Sequence, residues 1–188
     1  DECLKKLLNQ PRIPDSGTIG DWLVRSFPKG YEGLACVNQY LNHIILSHDS
    51  NSVYTFDPDA TGIESHKSEA KMTYKGYPGY MPMLGCLAEV PIWIVDDFRA
   101  GNIPPQAEAL NILDRALEMM PHGKRIGYLR SDSAWYQAAI FNRAEENKII
   151  FSITADKDMA VKTVIDSIQN WHPLRDKNGY LTEREVGE

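Results

Sequence analysis

Aspartates follow two of the predicted β-strands. Asp57 and Asp59 come directly after the apolar run at residues 53–56, and Asp132 ends the predicted strand KRIGYLRSD. In mixed α/β sheets, functional sites form at the carboxyl ends of strands. Carboxylates there could hold a hard cation such as Mg²⁺, which needs few protein ligands because it keeps its waters and takes phosphate oxygens of a substrate. Two such ions about 4 Å apart stabilise both reacting oxygens of a phosphoryl transfer.

Each aspartate also has a simpler interpretation. Asp132 precedes a predicted helix and is a good N-cap residue. Asp57 and Asp59 flank a proline in TFDPDATGIES, a composition typical of a turn. Asp96 and Asp97 end another predicted strand, so an aspartate at a strand end is not selective by itself. The five histidines show no metal-ligand spacing, and the chain has no dinucleotide fingerprint or P-loop.

Composition narrows the class of protein. The 188 residues suit one domain with a small appendage. Cys3, Cys36 and Cys86 are odd in number and form no C-x-x-C pair, which predicts a reducing, cytoplasmic location rather than a disulfide framework. The N-terminus does not resemble a secretory signal, and no apolar run approaches the roughly 20 residues that span a bilayer. The net charge of −6 counts against DNA binding by these residues alone.

Hydrophobic periodicity predicts the elements that would position these aspartates. Residues 1–52 form a helical segment, in which Thr18 is the expected N-cap of one helix and a second helix runs from Tyr31 to about Ser47. Residues 53–169 form an α/β core, and residues 170–188 form a polar, irregular start of an insertion or linker. Within the core, strands are expected at 53–56, from Tyr80, at 91–98, at KRIGYLRSD and at KIIFSITA, and helices at 105–120, 133–147 and 158–169.

The predicted order in the core is βββαβαβα. Strands joined by short links imply an antiparallel meander, and the later alternation of strands and helices implies parallel crossovers. A mixed five-stranded sheet flanked by helices follows. This is the order of the RNase H-like fold, although the pattern alone also suits other α/β folds.

Three stretches together resemble the DDE-type insertion-sequence transposases of group 1. FDPDATGIESHKSEAKMTYKGYPGYMPML resembles the block in which D-x-D-x-T ends a strand and Y-K-G-x-x-G-Y-x-P follows. DDFRAGNIPPQAEALNILDRAL resembles the R-x-G-N loop with the helix after it, and RIGYLRSDSAWY resembles the R-x-D-S-x-[FWY]-Y block. Each stretch alone is weak, but their order and spacing from Val53 to about Ile168 are specific.

The resemblance implies an RNase H-like catalytic domain that cuts and joins DNA with two Mg²⁺ or Mn²⁺ ions. Asp59 matches the first catalytic aspartate and Asp132 the second. Supporting roles are expected for Asp57, Thr61 and Arg130, and weaker DNA contacts for Lys67, Lys71, Tyr74 and Lys75. The implied partners are the insertion-sequence ends and target DNA, with a homodimer in the full-length enzyme, no membrane, and a bacterial, nucleoid-associated location during action.

The third carboxylate of that family is a glutamate on a later helix. Glu145, Glu146, Glu183, Glu185 and Glu188 all lie in the wrong sequence context. The expectation is therefore that this acid is missing and that the chain is a fragment. Two alternatives stay open: a metal-dependent nuclease of the same fold, and a catalytically inactive interaction module.

Overall fold

The computed structural model describes residues 2–7 and 9–187, and Glu188 lies outside the described residues. The chain divides into two compact units, residues 1–50 and residues 51–188. Within the described residues, no helix is long and apolar enough to cross a membrane.

The first unit is helical. It contains α1 (Glu2–Leu7), α2 (Ser16–Ser26) and α3 (Lys29–His48). The expected N-cap was wrong: Asp15 caps α2, because its carboxylate accepts a hydrogen bond of 2.7 Å from the backbone N–H of Thr18. Thr18 therefore lies in the first turn of the helix. Aspartate and threonine are both good N-cap residues. Asp15 is the cap because its side chain bonds the backbone N–H three residues later, which is that of Thr18.

The second unit is built around strands. In chain order they are β1 (Val53–Ala60), β2 (Ile63–Glu64), β3 (Lys71–Met72), β4 (Pro78–Tyr80), β5 (Met83–Leu87), β6 (Ile92–Asp97), β7 (Arg125–Ser131), β8 (Ile150–Ile153), β9 (Trp171–Arg175) and β10 (Leu181–Gly187). Its helices are α4 (Ala109–Glu118), α5 (Ala138–Glu146) and α6 (Met159–Ser167), with a 3₁₀ turn at Ser133–Trp135.

The main sheet has five strands in the order β6-β5-β1-β7-β8. β1 pairs antiparallel with β5, and β5 pairs antiparallel with β6. β7 lies parallel to β1 on its other side, and β8 lies parallel to β7. The predicted mixed α/β sheet is therefore confirmed, with the strand order of the RNase H-like fold.

Several boundaries differ from the sequence-based expectation. β1 continues through Asp57 and Asp59 to Ala60, because β5 pairs with it as far as Ala60 and Met83. The glycine-rich segment forms a separate sheet of order β2-β4-β3, and only then does β5 begin. The helix expected from Ser133 is interrupted, since a 3₁₀ turn precedes α5. The polar stretch expected to be irregular forms the antiparallel hairpin β9–β10.

The hydrophobic core covers one face of the main sheet. Tyr54 and Phe56 of β1 and Leu129 of β7 are almost wholly buried, as are Ile112 of α4 and Ile140 of α5. α4 packs against β6, α5 packs against β8, and the two helices contact each other. The opposite face is more open, because alternate residues of a strand point to opposite sides of the sheet. The Asp57 side of β1 belongs to that open face.

Gly85 generates the first prediction. It lies opposite Pro58 on β5, and an added Cβ would be 2.6 Å from Cζ of Phe56 and 2.6 Å from Cγ1 of Val95. Both neighbours are core side chains that cannot move away freely. We expect Gly85→Ala to lower the free energy of unfolding by about 1–3 kcal/mol, the usual effect of overpacking, measured by urea denaturation followed by circular dichroism.

Gly33→Ala is the matched control, because no described atom outside the neighbouring backbone of α3 lies within 4 Å of its added Cβ. Alanine is the better helix former there, by about 1 kcal/mol. Equal unfolding midpoints for Gly85→Ala and the wild type would contradict the packing described around Phe56.

Candidate active site at the carboxyl ends of β1 and β7

The parallel strands β1 and β7 are neighbours at the point where the order of the strands across the sheet reverses. From β1 it proceeds through β5 to β6 on one side, then crosses over to β7 and β8 on the other. In open α/β sheets, ligands bind outside the carboxyl ends of strands at such a switch point. The carboxyl ends of β1 and β7 are therefore the expected location of a site in this fold.

Asp59 and Asp132 occupy equivalent positions on these two strands. The parallel pairing runs to Phe56 opposite Leu129. Asp59 is three residues beyond Phe56, and Asp132 is three residues beyond Leu129. Continuing the register sets Asp57 level with Arg130, and Asp59 level with Asp132. Pro58 lies in β1 where the pairing with β7 has stopped, and a proline has no N–H for a ladder.

Arg130 and Asp57 confirm this continued register by direct contact. Nη2 of Arg130 is ion-paired with Oδ2 of Asp57, and its Nε donates to Oδ1 at 3.3 Å. The hydrogen bond and the charge of Asp57 raise the pKa of Arg130. The charge of Asp57 is thus neutralised by Arg130 of the neighbouring strand β7. By contrast, within the described residues the carboxylate of Asp59 has no hydrogen bond or ion pair, and Asp59 is exposed.

Asp132 caps the turn that follows β7. Its Oδ1 accepts a hydrogen bond of 3.0 Å from the backbone N–H of Ala134, at the start of the 3₁₀ turn. The capping interpretation therefore holds for one carboxylate oxygen. Because a carboxylate has two oxygens and about four lone-pair sites, and because Asp132 is exposed, the cap leaves room for a ligand.

A cavity of about 470 Å³ opens beside Asp132. Its lining includes Tyr74, Pro105, Gln106, Asp132, Tyr136 and Asp156. The structure therefore brings Tyr74 and Asp132 together, whereas Asp59 and the three lysines of the predicted DNA-contacting set do not line this cavity. Asp156 was not singled out from the sequence. The available signal was its position shortly after β8, which ends at Ile153, whereas Asp132 directly follows β7.

The predicted DNA-contacting residues lie on the small three-stranded sheet. Lys67 is between β2 and β3, Lys71 is in β3, and Tyr74 and Lys75 form the turn before β4. All four are exposed, and Nζ of Lys75 is 5.7 Å from the ring centroid of Tyr74. This arrangement suits a solvated loop as well as a phosphate contact, so the DNA role of these residues stays a prediction.

Thr61 contributes to the strand junction next to the candidate site. Its side chain is exposed, and its backbone N–H donates to the carbonyl of Pro82 at 3.0 Å. The bond ties the end of β1 to the start of β5. A supporting role for Thr61 toward a ligand also stays a prediction.

Arg99 fixes the loop that forms one wall of the cavity. Its side chain is buried, with 5% exposed. Nε donates to the carbonyl of Met81 and Nη1 to the carbonyl of Ala107, each at 3.0 Å. Burial lowers the pKa of Arg99, and the charge of Asp97 opposes that effect. Arg99 thereby joins the segment before β5 to the loop before α4.

Comparison with known proteins gives distant structural likenesses only. No protein-family model and no curated protein sequence matches this chain. Similar solved structures include the HTLV-2 integrase catalytic core domain in complex with magnesium, with a TM-score of 0.36 and 11% identity over 61% of this chain and 66% of that chain.

Two further structures show a likeness of the same level. The simian T-cell lymphotropic virus intasome in complex with PP2A regulatory subunit B56 gamma has a TM-score of 0.40 and 12% identity, over 62% of this chain and 40% of that chain. The Mos1 strand transfer complex has a TM-score of 0.37 and 11% identity, over 70% and 46%. Likenesses at this level assign no chemistry to the present chain.

Replacing Arg99 tests its role in holding the cavity wall. Arg99→Met would leave the carbonyls of Met81 and Ala107 without their donor, and an unsatisfied buried group costs about 1–3 kcal/mol. We expect a lower urea midpoint and faster hydrogen exchange at the Ala107 amide, which is bonded to the carbonyl of Pro104. Arg184→Met, at an exposed position of β10, is the control. Unchanged exchange at Ala107 would contradict the assigned role.

Glu89 predicts a pH dependence of stability. Partial burial raises the pKa of Glu89, but hydrogen bonds from the N–H and hydroxyl of Thr55, at 2.8 and 2.6 Å, outweigh it, so the pKa is lowered. A lowered folded-state pKa contributes stability above the unfolded value of about 4.3, and that contribution is lost as pH falls through the folded value.

The measurement compares Glu89→Gln with the wild type across pH. We expect Glu89→Gln to have the lower urea midpoint at neutral pH. The difference should shrink as pH falls from the unfolded-state pKa of about 4.3 through the lower folded-state pKa, because Glu89 is protonated first in the unfolded chain and then in the folded protein. Glu183→Gln, in exposed β10, controls for the loss of one negative charge. A difference that grows on acidification would contradict the assignment.

Proposed function

We propose that this chain carries out metal-dependent cutting and joining of DNA strands, as the catalytic domain of a DDE-type transposase. Asp59 and Asp132 are the proposed metal ligands. The proposal covers a domain and not a complete enzyme, and the third carboxylate implied by the sequence resemblance is not assigned to any residue described here.

The equivalent positions of Asp59 and Asp132 carry this proposal. Both residues stand at the carboxyl ends of neighbouring parallel strands, three residues past the last paired positions, at the switch point of the sheet. A surface turn or a helix cap accounts for each aspartate separately. Neither accounts for their equal register on two strands that are far apart in the sequence.

The residues fit a small, hard cation such as Mg²⁺ or Mn²⁺. Mg²⁺ takes one or two protein carboxylates and completes its shell with waters and phosphate oxygens. Within the part of the chain that the structure describes, Asp59 has no hydrogen bond or ion pair, and Asp132 uses one oxygen for its cap. Residues 2–7 and 9–187 contain no group of three or more metal-ligating side chains that could enclose an ion, so water and phosphate oxygens would have to supply the remaining ligands.

Bound divalent ions would lower the pKa of an attacking water and stabilise charge on the leaving oxygen of a phosphodiester. The chain's own residues would orient that substrate. Asp59 and Asp132 would hold the metal ions at the place where the substrate phosphate binds. The ion pair with Arg130 keeps the Asp57 carboxylate turned toward β7. A local negative charge is favourable for cations and unfavourable for DNA, so the metal must bind before or together with the DNA.

Manganese titration tests the metal site. Paramagnetic Mn²⁺ should broaden amide signals near Asp59 and Asp132, and Asp59→Asn should abolish that broadening. Asp132→Asn separates the two interpretations of this residue, because asparagine caps helices as well as aspartate does but lacks the charge. We expect Asp132→Asn to retain the fold and lose Mn²⁺ binding, and Asp166→Asn, exposed in α6, to change neither.

The outcomes distinguish the candidate functions. If Mn²⁺ broadens the signals equally in the wild type and in both variants, then Asp132 is a cap only and the proposal is wrong. Cleavage of DNA of arbitrary sequence by this chain would favour a nuclease of the same fold. Absence of metal binding and of DNA binding would favour an inactive interaction module.

A further inference from the structure

We infer that the cavity beside Asp132 takes one unpaired nucleobase of the DNA bound at the site. This inference rests on the proposed function, because Asp132 is both a proposed metal ligand and part of the cavity wall. A base held there would belong to a nucleotide close to the phosphate that reacts.

The size of the cavity suits a single nucleotide. Its volume of about 470 Å³ lies within the range of about 300–1,000 Å³ that is usual for sites of small ligands. A base pair within a duplex is far wider and cannot enter. Only a base that has left its stack could enter, as happens when enzymes act on extruded nucleotides.

The walls offer flat surfaces for stacking. Tyr74 and Tyr136 contribute aromatic rings, and Pro104 and Pro105 contribute apolar surface. The Tyr136 ring also packs edge-on against Phe141, with 5.2 Å between centroids. Base–aromatic stacking is sequence-tolerant, because every base has a π-face.

A hydrogen bond from a cavity side chain joins two sides of the cavity. Nε2 of Gln137 donates to the carbonyls of Gln106 and Ala134, each at 3.0 Å. Gln106 lies in the loop before α4, and Ala134 lies in the 3₁₀ turn that Asp132 caps. Both amide hydrogens are thus used, and the remaining Oε1 can only accept hydrogen bonds.

The polar lining includes the carboxylates of Asp132 and Asp156 and the Oε1 of Gln137 as hydrogen-bond acceptors. Asp156 presents a carboxylate that, within the described residues, has no side-chain hydrogen bond or ion pair. A carboxylate accepts from the exocyclic amino group of cytosine, and adenine and guanine also carry amino groups. Thymine offers no such donor. The cavity should therefore prefer an amino-bearing base to thymine.

The charge of the cavity favours a base within DNA over a free nucleotide. The described residues that line it include Asp132 and Asp156 but no lysine, arginine or histidine. No cationic side chain among these residues would pair with the phosphate of a free nucleotide. In DNA, the base can enter while its phosphate stays outside the cavity.

Binding of defined DNA ends tests the inference. The probe is a short fluorescent duplex with one unpaired 3′-terminal cytidine, compared with the same duplex bearing an abasic residue there, in Ca²⁺ to prevent cleavage. We expect the cytidine duplex to bind at least about fivefold more tightly, the lower end of measured stacking contributions, and a terminal thymidine to lie between the two. Free deoxycytidine monophosphate should not compete.

Substitutions assign the preference to the cavity. Tyr74→Ala should remove most of the preference for the base over the abasic end, and Tyr74→Phe should keep it because the ring remains. Tyr180→Ala, at an equally exposed tyrosine between β9 and β10, is the matched control and should keep it. Asp156→Asn should narrow the difference between cytidine and thymidine while Mn²⁺ broadening stays unchanged.

The possible results separate this inference from the proposed function. Metal-dependent DNA binding with equal affinity for cytidine and abasic ends would overturn the base pocket and leave the proposed function standing. Absence of any metal-dependent DNA binding would overturn both. Competition by the free nucleotide would make this a nucleotide site, and loss of Mn²⁺ broadening in Asp156→Asn would make Asp156 a metal ligand; either result overturns the inference.

Discussion

The parallel pairing of β1 with β7 is the interaction on which the rest of this unit depends. It joins the antiparallel half of the sheet, β1-β5-β6, to the parallel half, β7-β8. It also sets the register that brings Asp57 to Arg130 and makes Asp59 level with Asp132. A shift of one residue would move every side chain of β7 to the other face, which would bury Arg130 and expose Leu129. Burial of the core side chains therefore fixes the register, and the register in turn places the two carboxylates level with each other.

Charge is distributed unevenly around the candidate site. The charge of Asp57 is neutralised by Arg130, and Glu89 is held by Thr55. Among the described residues, Asp59, Asp132 and Asp156 form no ion pair with a basic side chain. The negative charge also acts on the neighbouring thiol of Cys86. Partial burial raises the pKa of Cys86, and the charges of Asp57 and Asp59 raise it further, whereas a hydrogen bond with Trp93 lowers it. Uncompensated carboxylates at one edge of a sheet attract cations.

The open face of the main sheet contrasts with this polar edge. Trp93 of β6 and Ile150 of β8 are 60% and 69% exposed. Trp93 alternates with the buried Ile94, so its exposure follows from the two-residue period of a strand. Ile150 lies in the outer strand β8, where Phe151 and Ser152 are exposed as well. The loop that contains Arg99 is fixed differently. The buried guanidinium of Arg99 donates to backbone carbonyls that would otherwise be paired within a helix or a sheet. The cavity wall is thus held by the side chains of Arg99 and, through the carbonyl of Gln106, of Gln137.

Local patterns predicted much of this architecture. The apolar runs of β6 and β7 and the period of α4 identified these elements near their observed bounds, because each is settled by burial of its own residues. The end of β1 was misjudged, since an Asp-Pro-Asp sequence favours a turn and only pairing with β5 keeps it extended. The hairpin β9–β10 was missed for a similar reason, because its residues are mostly exposed and polar and show no clear alternation.

The sequence by itself determined the sheet class, the two strand-end aspartates Asp59 and Asp132, and the capping chemistry of Asp132. Each depends on side-chain type and short-range spacing. Only the tertiary structure decided that Asp57 is paired with Arg130, that Tyr74 lies beside Asp132, and that Asp156 shares their cavity. These relations join residues on different elements, and the physical reason is that strand register and helix packing, which act between elements, fix distances that no local pattern encodes.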